Sequence, residues 1–230
     1  MTAQTTAVQS GAEVRFNRFL AMVYLVMTIG MVVTAMVATW VAGNEQLIQR
    51  ILFRPWFSFG LFIIQMILVT VLSAAVFRMA AGVAFVIFLA YSALTGMTLS
   101  SIVIFYSQSD ISYAFWMTAG MFLLGSIVGL FIKTDLSAIG RFLLLVLLGW
   151  TFGLFLSWFF PANSGFNELM NITGIILFAA LTVWDTQQLK QLSEKLEGQQ
   201  GTGGIVVLGA LKLYLDFINL FLLLLRTSRR

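Results

Sequence analysis

Residues 205–225 read IVVLGALKLYLDFINLFLLLL, from Ile205 to Leu225. A helix that crosses a bilayer needs about 20 mostly apolar residues, since each adds about 1.5 Å against a hydrocarbon core about 30 Å thick. This stretch is long enough, but it cannot cross without taking in Lys212 and Asp216. The two are four residues apart and share a helix face. Asn219 follows three residues later and Arg226 seven beyond that. One polar stripe therefore runs along a helix that is otherwise apolar all round. Such a helix is either central in a bundle or lines a pore.

The segment before it has the same character. Only 16 uncharged residues separate Glu168 from Asp185, too few for a span. The sixth helix is expected to continue to about Leu189, with Asp185 roughly a turn inside one end. Asn171 lies fourteen residues earlier, near the same face, flanked by Thr182 and Gln188. Between the two helices, the loop 190–204 carries Lys190, Glu194, Lys195 and Glu197, then Gly198, Gly201, Gly203 and Gly204. Those glycines suit the end of one helix and a loosened entry to the next.

Working back toward the N-terminus, five more apolar runs are expected as helices. They are 19–42, about 56–77 after Pro55, 82–106, 111–132 and about 141–160, where Pro161 stops the last. Asp110 and the stretch Lys133–Ser137 mark turns. The first run exceeds the roughly 7–15-residue apolar core of a cleaved signal, so it is read as a retained helix. The expected architecture is all-α: a polytopic membrane protein with seven transmembrane helices in one domain over 19–230, the seventh central. Residues 1–18 are expected as a polar N-terminal tail, mobile over the first dozen.

Composition agrees. Of 230 residues, 60% are hydrophobic and 10% charged, against about 25% charged in a soluble domain. With no Cys and no His, disulfides, thiol nucleophiles, imidazole ligands and a Ser-His-Asp triad are excluded. The net charge of +4 points to loop topology and anionic headgroups rather than nucleic acid. Arg15, Arg18, Arg78, Lys133, Arg141, Lys190 and Lys195 fall on the N-terminal side. Arg50, Arg54, Arg226, Arg229 and Arg230 fall on the other, which favours a cytoplasmic N-terminus.

A charge at the bilayer centre costs about 2.5–3.5 kcal/mol on insertion scales, and such residues face a bundle interior or a water-filled path. Asp185, Lys212 and Asp216 are therefore the most informative residues. They suit a proton, ion or catalytic role, or a hydrogen-bond clamp between helices. Two carboxylates about 4 Å apart would repel by roughly 4 kcal/mol at an effective dielectric of 20, so such a pair is expected to share a proton. It would also attract a hard cation, though weakly, because Ca²⁺ takes 6–8 oxygens. Elsewhere, Tyr91, Ser92, Thr95 and Thr98 either line a cavity or bond back to their own helix. Gly120, Gly125 and Gly129 include a small-xxx-small pair that suggests close helix packing, and Arg78 suits snorkelling toward headgroups.

The stretch Leu213-Tyr214-Leu215-Asp216-Phe217-Ile218-Asn219-Leu220-Phe221, with Leu224-Leu225-Arg226, resembles the last-helix signature of the Bax inhibitor family. Trp184-Asp185-Thr186-Gln187 resembles that family's aspartate motif, and Lys133-Thr134-Asp135-Leu136-Ser137 its turn before the fifth helix. The resemblance covers the chain after about residue 15. It implies a seventh helix surrounded by six others and a pH-sensitive calcium leak with no resident cofactor. It assigns the proton-sensing dyad to Asp185 and Asp216, which would also form a weak calcium site, and a closed-state latch to Arg78. Bacterial relatives include a modulator of a membrane-bound protease, so such a protease is an expected alternative partner beside calcium and the lipid bilayer. Short loops and the absence of a long basic tail point to a bacterial inner membrane. Lys212 departs from the family pattern: a cation stands one turn from Asp216, where a small or hydroxyl residue is expected. Lys212 and Asn219 are expected to modulate the dyad.

No enzymatic activity is expected. An intramembrane aspartyl protease also places one Asp on each of two successive helices. Its usual Gly-x-Gly-Asp, however, is replaced here by Leu213-Tyr214-Leu215-Asp216, and no Pro follows Pro161.

Overall fold

The structure, a computed structural model, describes residues 2–157, 159, 164–195 and 203–228. Uncharged runs of 20 residues or more become helices because lipid offers backbone N–H and C=O groups no partner, and a helix satisfies them internally. The elements are α1 (Thr2–Ala42), α2 (Glu45–Phe53), α3 (Pro55–Ala75), a 3₁₀ turn (Val76–Arg78), α4 (Ala81–Phe105), α5 (Gln108–Phe131), α6 (Ser137–Leu156), α7 (Ser164–Lys195) and α8 (Gly203–Ser228). There is no strand among the described residues.

Seven of these helices are long and apolar enough to cross a membrane, as the sequence implies. α7 provides the span Gly165–Ser193, so Asp185 does lie inside a helix that continues past it. α8 is the most enclosed of the seven. Of its most apolar window 61% is buried, against at most 33% for any other span.

Three expectations change. The polar residues expected as a tail continue α1 from Thr2, and the apolar span begins only at Phe16. A helix not anticipated, α2, fills the connection before Pro55. Asn44 caps it by accepting from the Leu47 amide at 3.1 Å, and Ile48 and Ile51 bury its apolar face. α6 starts at Ser137, four residues early, because Asp135 Oδ1 accepts from the Ser137 amide at 2.9 Å and fixes its first turn. The expected stop at Phe160-Pro161 and the loop residues Glu197, Gly198 and Gly201 lie outside the described residues.

The chain divides into two compact units. The first takes Met1–Ser107 and Lys190–Tyr214; the second takes Gln108–Leu189 and Leu215–Arg230. Each therefore includes one half of α8.

In the first unit α1 and α4 approach closely through glycines. A Cβ at Gly96 would stand 2.5 Å from the Thr34 carbonyl oxygen, and one at Gly30 would stand 2.5 Å from Phe88 Cζ. Tyr214 of α8 packs edge-on to Phe88 and Tyr91 of α4, with ring centroids 5.6 and 6.1 Å apart. Its hydroxyl shares a 2.6 Å hydrogen bond with Thr34, which also donates to the Ser92 carbonyl. Val41, Ile48, Ile51 and Leu61 form a second cluster where α1, α2 and α3 meet.

The second unit repeats the device between α5 and α7. A Cβ at Gly129 would collide with the Val183 carbonyl oxygen, and one at Gly125 would stand 3.3 Å from Thr182 Cγ2. Gly120, outside this four-residue pair, has open space. Gly140 of α6 lies against the Trp184 ring, where a Cβ could not fit. Leu177, Phe178, Leu181 and Trp184 of α7 join Leu220 and Leu223 of α8 in one core.

Candidate functional site

Asp185 and Asp216 both belong to the second unit and are buried, at 7% and 5% exposed. Their helices α7 and α8 pack antiparallel there. Asn171 Nδ2 donates to the Leu223 carbonyl at 3.2 Å and to Thr227 Oγ1 at 2.7 Å, and Gly174 packs against Leu223. Carried along two straight helices, this register sets Asp216 opposite residues 178–182. Asp185 then lies one to two turns further along α7, about 5–10 Å on the axis. At the 5 Å end of that range a single water can join the two carboxylates.

The other expected site residues fall elsewhere. Asn219 is half-buried on α8, but its amide donates to the Leu215 carbonyl of its own helix at 2.8 Å. Lys212 is half-buried, one turn before Asp216 on the same helix and within the first unit's part of it. Arg78 ends the 3₁₀ turn of the first unit and is exposed, as snorkelling requires. Ser92, Thr95 and Thr98 each bond back to a carbonyl of α4, the second of the two alternatives open to them.

Gln187 is the residue that sequence reasoning passed over. It is buried two positions after Asp185 and clamps the turn between α5 and α6. Its Oε1 accepts from the Leu136 amide at 2.9 Å, and its Nε2 donates to the Thr134 carbonyl at 2.8 Å. Two of the three motifs that carry the resemblance are thus one structural unit. The available signal was weak: Gln187 stands in the polar run Asp185–Gln188 near the expected helix end, and only its burial, which calls for polar partners, sets it apart.

As a metal site the arrangement is sparse. Among the described residues no three Asp or Glu side chains group together. A cation held at the two aspartates would take its remaining oxygens from carbonyls, hydroxyls or water.

Comparison with known sequences places the chain. Residues 16–228 match the family described as inhibitor of apoptosis-promoting Bax1. Inner membrane protein YbhL of Escherichia coli (strain K12) is 42% identical over 211 residues, covering 90% of this chain and 89% of that protein. A protein of Borreliella burgdorferi is 40% identical over 212 residues, covering 91% and 90%. A membrane protein of Streptococcus pyogenes serotype M1 is 34% identical over 221 residues, covering 95% of both chains. Seven apolar spans and a family match over almost the whole chain make this protein a multi-pass integral membrane protein of the Bax inhibitor family.

Proposed function

We propose that the protein is a pH-sensitive cation leak channel of a bacterial inner membrane, with calcium as the transported ion and Asp185 and Asp216 as its proton sensor. The observation that carries this reading is the burial of two carboxylates on adjacent antiparallel spans of one compact unit. Ionisable groups inside a membrane are costly, and they are kept where ions or protons pass. The stagger between the aspartates suits a pair that shares one proton through water and opens to cations when the proton leaves. Lys212, one turn from Asp216, opposes cation entry and favours the ionised carboxylate.

The test is calcium entry into liposomes holding the purified protein, recorded between about pH 5 and 8. A flux that changes with pH supports the reading. No flux at any pH would overturn it and leave a non-transporting regulator of a membrane protease, in which the aspartates are a clamp between helices.

A further inference from the structure

The buried hydroxyls of the spans fall into two groups. Thr34, Ser92, Thr95, Ser100, Thr118 and Thr182 each donate to a carbonyl three or four residues back in their own helix, at 2.6–3.0 Å. This is the usual arrangement for a hydroxyl inside an apolar helix. Ser126 and Thr186 depart from it. They are 3% and 0% exposed, yet neither hydroxyl has a hydrogen-bond partner among the described residues.

The two lie on helices that touch. Gly125 and Gly129, which bring α5 against α7, flank Ser126 in sequence. Thr186 Cβ stands 2.9 Å from where a Cβ on Gly129 would be. The Val183 carbonyl oxygen points into the same crossing, at Gly129. On α5, buried Phe122 lies one turn before Ser126.

A buried polar group without a partner is costly, and in a folded protein it marks an ordered water, an ion or a functional contact. A buried water needs two to four polar partners. Two hydroxyls that can each donate and accept, with one carbonyl, meet that need. An ion is the poorer fit, because the crossing itself brings no charge to balance it.

We propose that Ser126 and Thr186 hold a water molecule at the crossing of α5 and α7.

The water site is tested by the melting midpoint of the purified protein. Thr186→Val keeps the side-chain shape and removes the hydroxyl; Ser126→Ala does the same with a smaller change. If the pair holds a water, each substitution leaves the water and the remaining hydroxyl short of a partner. The midpoint then falls by about 2–4 °C, and Thr186→Ser restores it. If the hydroxyls hold nothing, each substitution removes an unpartnered polar group, and the midpoint rises or stays put. Either of those results overturns the proposal. Thr182→Val is the control at the same crossing, since its hydroxyl already bonds to the Phe178 carbonyl; it should move the midpoint less than either.

X-ray radiolysis of the wild type gives a second reading that does not require the variants to fold. Waters held inside a protein become radicals and oxidise adjacent side chains. Buried Phe122 should be oxidised in the wild type, and its protection there would count against the site.

Discussion

Two helix crossings in this protein are built alike and filled differently. Where α1 meets α4, Gly30 and Gly96 let the backbones approach, and every polar group around them is used. Thr34 reaches the Gly30 carbonyl, the Ser92 carbonyl and the Tyr214 hydroxyl. Where α5 meets α7, Gly125 and Gly129 serve the same end, but the Ser126 and Thr186 hydroxyls have no partner among the described residues. The first crossing is closed in the hydrogen-bonding sense and carries no charge. The second keeps polar capacity inside the membrane, where leaving it unused is expensive. The difference separates a crossing whose polar groups are paired from one that keeps two buried hydroxyls unpaired.

The shared architecture gives the largest expected effects. Gly96→Ala and Gly129→Ala both drive a Cβ into a backbone carbonyl oxygen, Thr34's in one case and Val183's in the other. Backbone cannot yield as a flexible side chain does, so each should cost about 1–3 kcal/mol or more, read as lost folded yield and a lower melting midpoint. Gly120→Ala, which enters open space, should do no harm. If Gly129→Ala were tolerated as Gly120→Ala is, the close approach of α5 and α7 would be wrong.

Gln187→Leu comes next. It removes the acceptor for the buried Leu136 amide and the donor to Thr134, and an unsatisfied buried group costs about 1–3 kcal/mol. Faster hydrogen exchange at Leu136 and Ser137 would locate the loss; unchanged exchange there would show that the clamp does not hold the turn.

Tyr214→Phe probes the closed crossing. Thr34 keeps two carbonyl acceptors when the Tyr214 hydroxyl goes, so the cost should be about 1 kcal/mol. The pH profile of calcium flux should not move, because no titrating carboxylate is involved. A displaced profile would place function at the first crossing as well.

Lys212→Ser should give the smallest change. Removing a cation one turn from Asp216 weakens the ionised state, so the flux transition should move to higher pH. The group is half-buried and partly screened, and the shift should stay under about one pH unit. A transition that stays put, or moves to lower pH, would show that Lys212 does not favour the ionised aspartates.

Much of this was legible from charge spacing. Runs without a charge located the seven spans. The short interval between Glu168 and Asp185 required α7 to carry its aspartate inside the membrane, and it does. The last helix had to take in Lys212 and Asp216, and it is the most enclosed span. What escaped depends on contacts far apart in sequence. α2 is nine residues long, and its apolar face becomes meaningful only against α1 and α3. The clamp from Gln187 to Leu136 joins residues 51 positions apart. Ser126 and Thr186 resemble other hydroxyls that bond back to their own helices, and only the three-dimensional arrangement sets them apart.

The central claim is that Asp185 and Asp216 sense protons as a pair. It is tested most directly by calcium flux into liposomes of one lipid composition, titrated between about pH 5 and 8, for wild type and Asp185→Asn. Asparagine keeps the shape and cannot ionise, so the repulsion that makes the pair share a proton disappears. The account predicts a flux that changes steeply with pH in the wild type and a flat profile in Asp185→Asn. A variant that still conducts with the wild-type pH profile would contradict it.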